Sequence, residues 1–125
     1  MTDATTDFFN TLRRRGNEPF LRNTTGTVRF DLSDGHRVEN WYLTIKSGNI
    51  AVSNKQADAD AVVACDRSLM NGMLLGEINA MAAALRGLIV PRGDLGLVLS
   101  VARLFGGAHD ARPGAEAAGY AQRKR

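Results

Sequence analysis

The first half of the chain alternates between apolar and polar residues, and the second half repeats its apolar residues at helical spacing. Val28, Phe30 and Leu32 interleave with Thr27, Arg29 and Asp31, which predicts a strand with one dry and one wet face. Trp41, Leu43 and Ile45 interleave likewise with Tyr42, Thr44 and Lys46, and Ile50 and Val52 carry the apolar face onward. Between these runs stand SDGH (Ser33–His36) and SGN (Ser47–Asn49), both tight-turn signals, so an antiparallel meander is expected. Upstream, Phe8, Phe9 and Leu12 share one side of a short helix over about residues 6–15. Thr6 or Asp7 is its expected cap, and Gly16 its stop.

Beyond a loop, Ala61–Cys65 reads as a short strand and Asp66 as the N-cap of a helix with Leu69, Met70, Met73 and Leu74 on its apolar stripe. Ile78, Met81, Ala82 and Leu85 form a second stripe at i, i+3, i+4 and i+7, and Gly87 closes that helix. Leu88–Val90 is a last short strand. Pro91 ends its pairing or sits at a sheet edge, Gly93 turns the chain, and Asp94 caps the final helix. That helix carries two stripes. Leu95, Val98, Leu99, Ala102 and Phe105 form the first, and Leu97, Val101 and Leu104 the second; only Ser100 and Arg103 interrupt the run. A helix apolar all round is buried all round. Its second stripe therefore needs a cover: the sheet, another subunit, a membrane or a ligand. From Gly106 to Arg125 there is glycine, alanine and charge without periodicity, which reads as a polar, mobile tail outside a single domain over residues 1–105.

Composition narrows the class. A chain of 125 residues is one domain and can bury a core without staples. Its one cysteine, Cys65, excludes an intrachain disulfide and a thiolate zinc cluster. The N-terminus lacks the basic-then-apolar order of a secretory signal, and no run approaches the roughly 18 apolar residues of a membrane span, so a cytoplasmic protein is expected. The net charge of +3 comes from 16 basic and 13 acidic residues. Arg13, Arg14, Arg15, Arg123, Lys124 and Arg125 supply six of the positive charges, so the remainder balances at 10 − 13 = −3. Such a body is not a nucleic-acid binder, because it has no basic docking face and no aromatic residues alternating with basic ones. The two clusters read either as solvated charge or as a transient contact with an anionic membrane.

Chemistry is sparse. His36 lies in a turn and His109 in the tail; Cys65 has no histidine near it in sequence and reads as a buried thiol. Asp58 and Asp60 are followed by no calcium loop. Arg92-Gly93-Asp94 reads as a turn and a cap, and the acceptor sequence Asn23-Thr24-Thr25 has no route to a glycosylating compartment. No catalytic residues, metal ligands or cofactor site are expected, and the protein is not read as an enzyme. Met70, Met73 and Met81 fall on apolar helix faces, where methionine suits both plain core and a pocket for varied apolar ligands.

The second half of the chain resembles the sterol carrier protein 2 (SCP2-like) family. The stretches GTVRFDLSDG and ENWYLTIKSGNIAVSN look like its paired early strands. The run from Ala59 to Phe105 resembles its most diagnostic part, through Asp66, Leu69, Gly76, Gly87, Gly93, Asp94, Leu104 and Phe105. The resemblance covers residues 26–105. It implies an α+β fold: a twisted, mainly antiparallel five-stranded sheet covered on one face by helices, with a hydrophobic tunnel between the layers. It also implies binding of a sterol, fatty acid or fatty acyl-CoA without chemistry. Periodicity and resemblance together nominate Trp41, Leu43, Ile45, Leu69, Met73, Met81, Leu85, Leu95, Val98, Leu99, Ala102 and Phe105 as the apolar lining. The alternative is an accessory subunit or homodimer that uses the apolar final helix as its interface, with Leu97, Val101 and Leu104 at the core of the contact.

Overall fold

The computed structural model of the chain describes residues 3–110, with side chains as far as residue 105. Helix α1 (Ala4–Arg15) and a 3₁₀ turn (Pro19–Leu21) precede the meander of β1 (Thr25–Asp34), β2 (Arg37–Lys46) and β3 (Asn49–Ser53). Strand β4 (Ala61–Asp66) then leads into α2 (Arg67–Leu74), α3 (Ala80–Leu85), β5 (Val90–Gly93) and α4 (Leu95–Asp110). The sheet order is β3-β2-β1-β4-β5. All neighbours are antiparallel except β1 and β4, which run parallel. The sheet is therefore mainly antiparallel, as expected, with one parallel pair where the chain crosses from one edge back to the centre.

Register explains the dry face. Phe30 sits opposite Trp41 on one side and Val63 on the other, and Val28 opposite Leu43 and Ala61. Ile45 faces Ile50 in the next pair. These side chains form one buried layer with Leu32, Cys65, Leu12 and Met70. On the outer face Arg29 forms a bidentate pair with Asp31 at 2.8 and 3.0 Å. Tyr42, expected on this wet face, lies on it yet is buried. It stands opposite Arg29, its ladder partner, and the two side chains interact.

The helices are fixed by specific devices. The α1 cap is Asp3, not Thr6 or Asp7: its carboxylate accepts from Thr6 N at 3.0 Å and starts the helix at Ala4. Arg67 donates to the same carboxylate at 2.6 and 3.0 Å, and Asn71 at 3.1 Å. Asn71 in turn accepts from the Thr5 amide and hydroxyl. The Arg67 guanidinium also pairs with Glu39, which accepts from the Trp41 indole. One network thus ties α1, α2 and β2 together. It holds the Asp3 carboxyl well below the usual carboxylate range, chiefly through the Arg67 hydrogen bonds. Below it, Phe9 stacks on Trp41 with centroids 4.5 Å apart.

Three readings of the second half change. First, the buried stripe of α4 is Leu97, Val101 and Leu104, whereas Leu95, Leu99 and Ala102 are exposed and Val98 and Phe105 half-buried. The patch expected to form an outer interface is the one that packs on the sheet. The reason is Gly26 on β1: a Cβ there would stand 2.7 Å from Leu97 Cδ2, so a residue without a side chain lets Leu97 settle against the strand backbone. Second, α3 does not bury Met81, Ala82 and Leu85. Asn79 caps it by accepting from Ala82 N at 2.8 Å, so Ile78 lies outside the helix and the counted stripe has no common face; Ala83 is its buried residue. Third, β5 begins at Val90 rather than Leu88 and keeps Pro91 within it, opposite Val63 on the open edge of the sheet. The final helix also runs past Phe105 to Asp110. The remainder of the expected tail, with Arg123, Lys124 and Arg125, lies outside the described residues.

Candidate functional site

A cleft opens where two strands of unequal length meet. Strand β4 continues through Cys65 and Asp66, but β5 pairs with it only as far as Ala64, opposite Val90. The chain reaches β5 from α3 through a left-handed Gly87, where Leu88 N donates back to Ala83 O at 3.0 Å and seals the helix end. The gap between the end of β4, the start of α2 and the Gly87–Val90 segment has a volume of about 600 Å³. That is within the range of small-molecule sites.

Its walls differ in chemistry. Leu69 of α2, Ile78, Leu88 and Val90 supply an apolar side, and Cys65 with Ala64 lies at its β4 wall. Ser33, Asp66 and Ser68 supply a polar end. Asp66 occupies the N-cap position of α2, as expected, yet its side chain makes no capping bond. Burial pushes the Cys65 thiol up to about 11, with a smaller contribution from the Asp66 charge, so it is a neutral thiol at physiological pH and not a nucleophile.

Along the stretch of chain that lines the cleft and runs on into α4, large apolar side chains stand in solvent. Met81 and Leu85 on α3 are 68 % and 81 % exposed, and Leu95 and Leu99 on α4 are 55 % and 68 % exposed. Leu75, Leu88 and Val90 are exposed as well. Scattered single leucines at a surface are ordinary; this concentration in one stretch of chain is not. It is also weakly anchored. Ile78 packs on Gly72, where an added Cβ would overlap its Cγ1 and Cδ1, and Ile89 reaches the core from the other end. Between them only Ala83 of α3 is buried.

Of the twelve nominated lining residues, the structure places Leu69 on the cleft. Trp41, Leu43, Ile45 and Met73 are packed in the core between the layers, and Val98 and Phe105 lie against it. Phe105 stacks on Phe8 at 4.7 Å. Met81, Leu85, Leu95, Leu99 and Ala102 are exposed. Sequence reasoning missed Ser33, Ala64, Asp66, Ser68, Leu88 and Val90 as lining residues because the cleft comes from the mismatch of β4 and β5. No periodicity encodes that mismatch, although Pro91 and Gly93 marked the place.

The other candidates are structural. Asp60 accepts from Thr27 N at 2.8 Å and its carbonyl accepts from Asp94 N at 3.0 Å, so it buttresses the entry to α4. Asp94 caps α4 by accepting from Leu97 N at 3.0 Å. His36 is exposed in its turn. Among the described residues no group of three or more His, Cys, Asp and Glu could hold a metal, and no helix is long and apolar enough to cross a membrane.

A mixed five-strand sheet with one helical layer, opened by an apolar-walled cleft, matches a known class of lipid carriers. The chain belongs to the SCP-2 sterol transfer family, which matches residues 9–106. The family is one of lipid and sterol binding or transfer. Among curated proteins the chain is 29 % identical over 100 residues to the hydroxysteroid dehydrogenase-like protein 2 of Xenopus laevis, covering 78 % of this chain and 24 % of that one. It thus spans about a quarter of the length of the curated relatives it matches. Two solved structures show the same fold. The sterol carrier protein domain 2 of Helicoverpa armigera matches at a TM-score of 0.65 and 18 % identity, over 86 % of this chain and 90 % of that one. The inverting sec-alkylsulfatase of Pseudomonas sp. matches at 0.60 and 17 % identity, over 79 % of this chain and 15 % of that one.

Proposed function

We propose that this chain binds one hydrophobic lipid at a time and carries it without chemistry, the ligand entering at the β4–α2–β5 cleft and lying between the helical layer and the sheet. The observation that carries this reading is the apolar-walled cleft, with exposed apolar residues in the adjoining stretch of chain from Leu75 to Val90, in a member of a lipid-transfer family. Burying such surface against an acyl chain or sterol ring is worth roughly 25 cal/mol per Å². Leu69 is the nominated residue at the opening, Met81, Leu85, Leu95 and Leu99 form its rim, and Val98 and Phe105 lie deeper. Trp41, Leu43, Ile45 and Met73 are reached only if the helical layer lifts from the sheet.

The polar end narrows the ligand. Ser33, Asp66 and Ser68 make no side-chain hydrogen bond to another described residue, so all three are free to meet a ligand head group. An aspartate beside two hydroxyls offers acceptor oxygens to a ligand hydroxyl and is a poor neighbour for a carboxylate, which brings no donor. A sterol or another lipid alcohol therefore fits better than a free fatty acid. Native mass spectrometry of protein purified from cells, followed by titration with a fluorescent sterol, tests this. The expected result is one lipid per chain, with probe displaced more readily by cholesterol than by palmitate. Bound probe should also slow alkylation of Cys65 at alkaline pH, where the thiol begins to ionise. An empty protein that takes up neither sterol nor fatty acid would overturn the reading.

A further inference from the structure

Helix α3 hangs between two fixed points beside one cleft. Ile78 before it and Gly87 and Leu88 after it line the cleft, whereas residues 79–86 line none of it. The first fixed point is Gly72 of α2. Its carbonyl accepts from Glu77 N at 2.8 Å and from Ile78 N at 3.1 Å, and its bare Cα leaves the room that the Ile78 side chain fills. The second is Ile89, which packs against the core. Between these points Ala83 is the one buried residue of the helix.

The helix has two usable faces. At 3.6 residues per turn, Met81 and Leu85 stand about 40° apart, and each is about 160° from Ala83. The side turned inward thus offers one methyl group. The side turned to solvent offers Met81 and Leu85, which are 68 % and 81 % exposed. That is the reverse of how a packed amphipathic helix is set. Both ends can turn. Asn79 is extended, at φ −79° and ψ 122°, and Gly87 is left-handed, at φ 77°. A Cβ on Gly87 would meet nothing within 4 Å, so backbone freedom, not crowding, is what glycine supplies there. Two such residues at the ends of a short element are what a hinge needs.

We propose that α3 is a strap that rolls about its axis when a lipid occupies the cleft, laying Met81 and Leu85 on the ligand and turning Ala83 out to solvent. The proposal rests on the lipid-carrier reading and adds to it how the cleft closes. Rolling gives up the burial of one methyl group and the 3.0 Å bond from Leu88 N to Ala83 O. Without a ligand the roll gains nothing in return. Against a lipid, Met81 and Leu85 leave water together, a gain in proportion to the apolar area covered. The ligand therefore shifts the strap through its differential contact with the two settings, and it is held longer once the strap has turned.

Thiol labelling at single sites tests the strap, with Cys65→Ala as the background so that the introduced cysteine is the one thiol in the chain. Met81→Cys, Leu85→Cys, Ala83→Cys and Arg86→Cys are treated with iodoacetamide, with and without cholesterol delivered from cyclodextrin. Cholesterol should slow labelling of Met81→Cys and Leu85→Cys about tenfold and speed that of Ala83→Cys by a similar factor. Arg86 is exposed and lies about 60° from Ala83 around the helix, so Arg86→Cys should keep its rate, because a roll leaves that side open. If Ala83→Cys does not fold, the contrast between Leu85→Cys and Arg86→Cys decides alone. Stopped-flow fluorescence gives a second readout. Met81→Ser with Leu85→Ser should release a fluorescent sterol about thirtyfold faster and take it up at the wild-type rate. Sterol uptake with unchanged labelling at all four sites, or with protection of all four together, would overturn the strap and leave the carrier reading standing. So would protection of Met81→Cys and Leu85→Cys that follows protein concentration and not cholesterol, which would mark contact with a second copy. A wild-type chain that takes up neither sterol nor fatty acid would instead overturn the carrier reading, and the strap with it.

Discussion

The two ends of the sheet are built to different standards. At the β3 end, α1 is held by a capping aspartate, a bidentate arginine and an aromatic stack, and every large apolar side chain of the helix has a partner. Phe9 touches both Trp41 and Phe30, and Phe8 stacks on Phe105. At the β5 end, α3 has six residues, one of them buried, and two leucine-sized side chains stand in solvent. Packing of the first kind secures the fold. The second kind leaves apolar surface unspent, and a fold tolerates that only where something else is meant to meet it.

The sharpest way to break this comparison is to truncate one residue at the tight end. Phe9 is fully buried, stacked on Trp41 and edge-on to Phe30, so Phe9→Ala should cost about 3–5 kcal/mol in urea unfolding. Since whole domains are stable by about 5–15 kcal/mol, that variant should sit close to its unfolding threshold. A cost below about 1 kcal/mol would mean that the α1 end is no better packed than the α3 end, and the contrast would fail.

The same contrast explains what could be read from the sequence. Val28, Phe30 and Leu32 were legible because a strand has two faces and only one was dry. The helix α1 was legible because its polar side is long and charged. The final helix was not, since apolar residues surround it and periodicity offers two equal stripes. The choice between them was made by Gly26, about seventy residues away, which leaves room for Leu97 and none for a rival. In α3 the stripe of Ile78, Met81, Ala82 and Leu85 had the right spacing, but it was counted from a residue that lies before the cap at Asn79. The cleft was illegible for a further reason: it is the space left by a strand that stops two residues short.

A middle-sized effect sharpens the comparison through pH. The Asp3 carboxylate is stabilised in the folded state by Arg67, by Thr6 N and by Asn71, so its folded pKa lies below the unfolded value near 3.9. A depressed carboxylate contributes stability above its unfolded pKa and loses it as pH falls through the folded one. Asp3→Asn keeps a capping oxygen but removes the charge that Arg67 pairs with, so it should cost about 1 kcal/mol at pH 7. The gap from wild type should narrow progressively below about pH 4. Chemical denaturation at stepped pH measures it. A gap that stays constant down to pH 2 would show that the charge of Asp3 is not what locks α1 to α2.

The smallest expected effect lies at the loose end. Leu85→Ser removes an apolar side chain that is 81 % exposed, and Leu99→Ser one that is 68 % exposed, so little burial is lost in the free protein. Each should change stability by no more than about 0.5 kcal/mol, as surface substitutions do. With ligand present the balance differs. A ligand that binds only the folded chain stabilises it by RT ln(1 + [L]/Kd), about 2.7 kcal/mol at a hundredfold excess over Kd. If the rim closes over the ligand, each serine variant weakens binding and shrinks that increment. The expected pattern is a pair of variants with wild-type melting points when empty and smaller sterol-induced shifts when loaded. Thermal unfolding with and without sterol reads both quantities on one sample. A variant that melts several degrees lower when empty would show that its leucine is packed in the free protein. A full sterol-induced shift in both variants would show that the exposed residues of α3 and α4 do not touch the ligand.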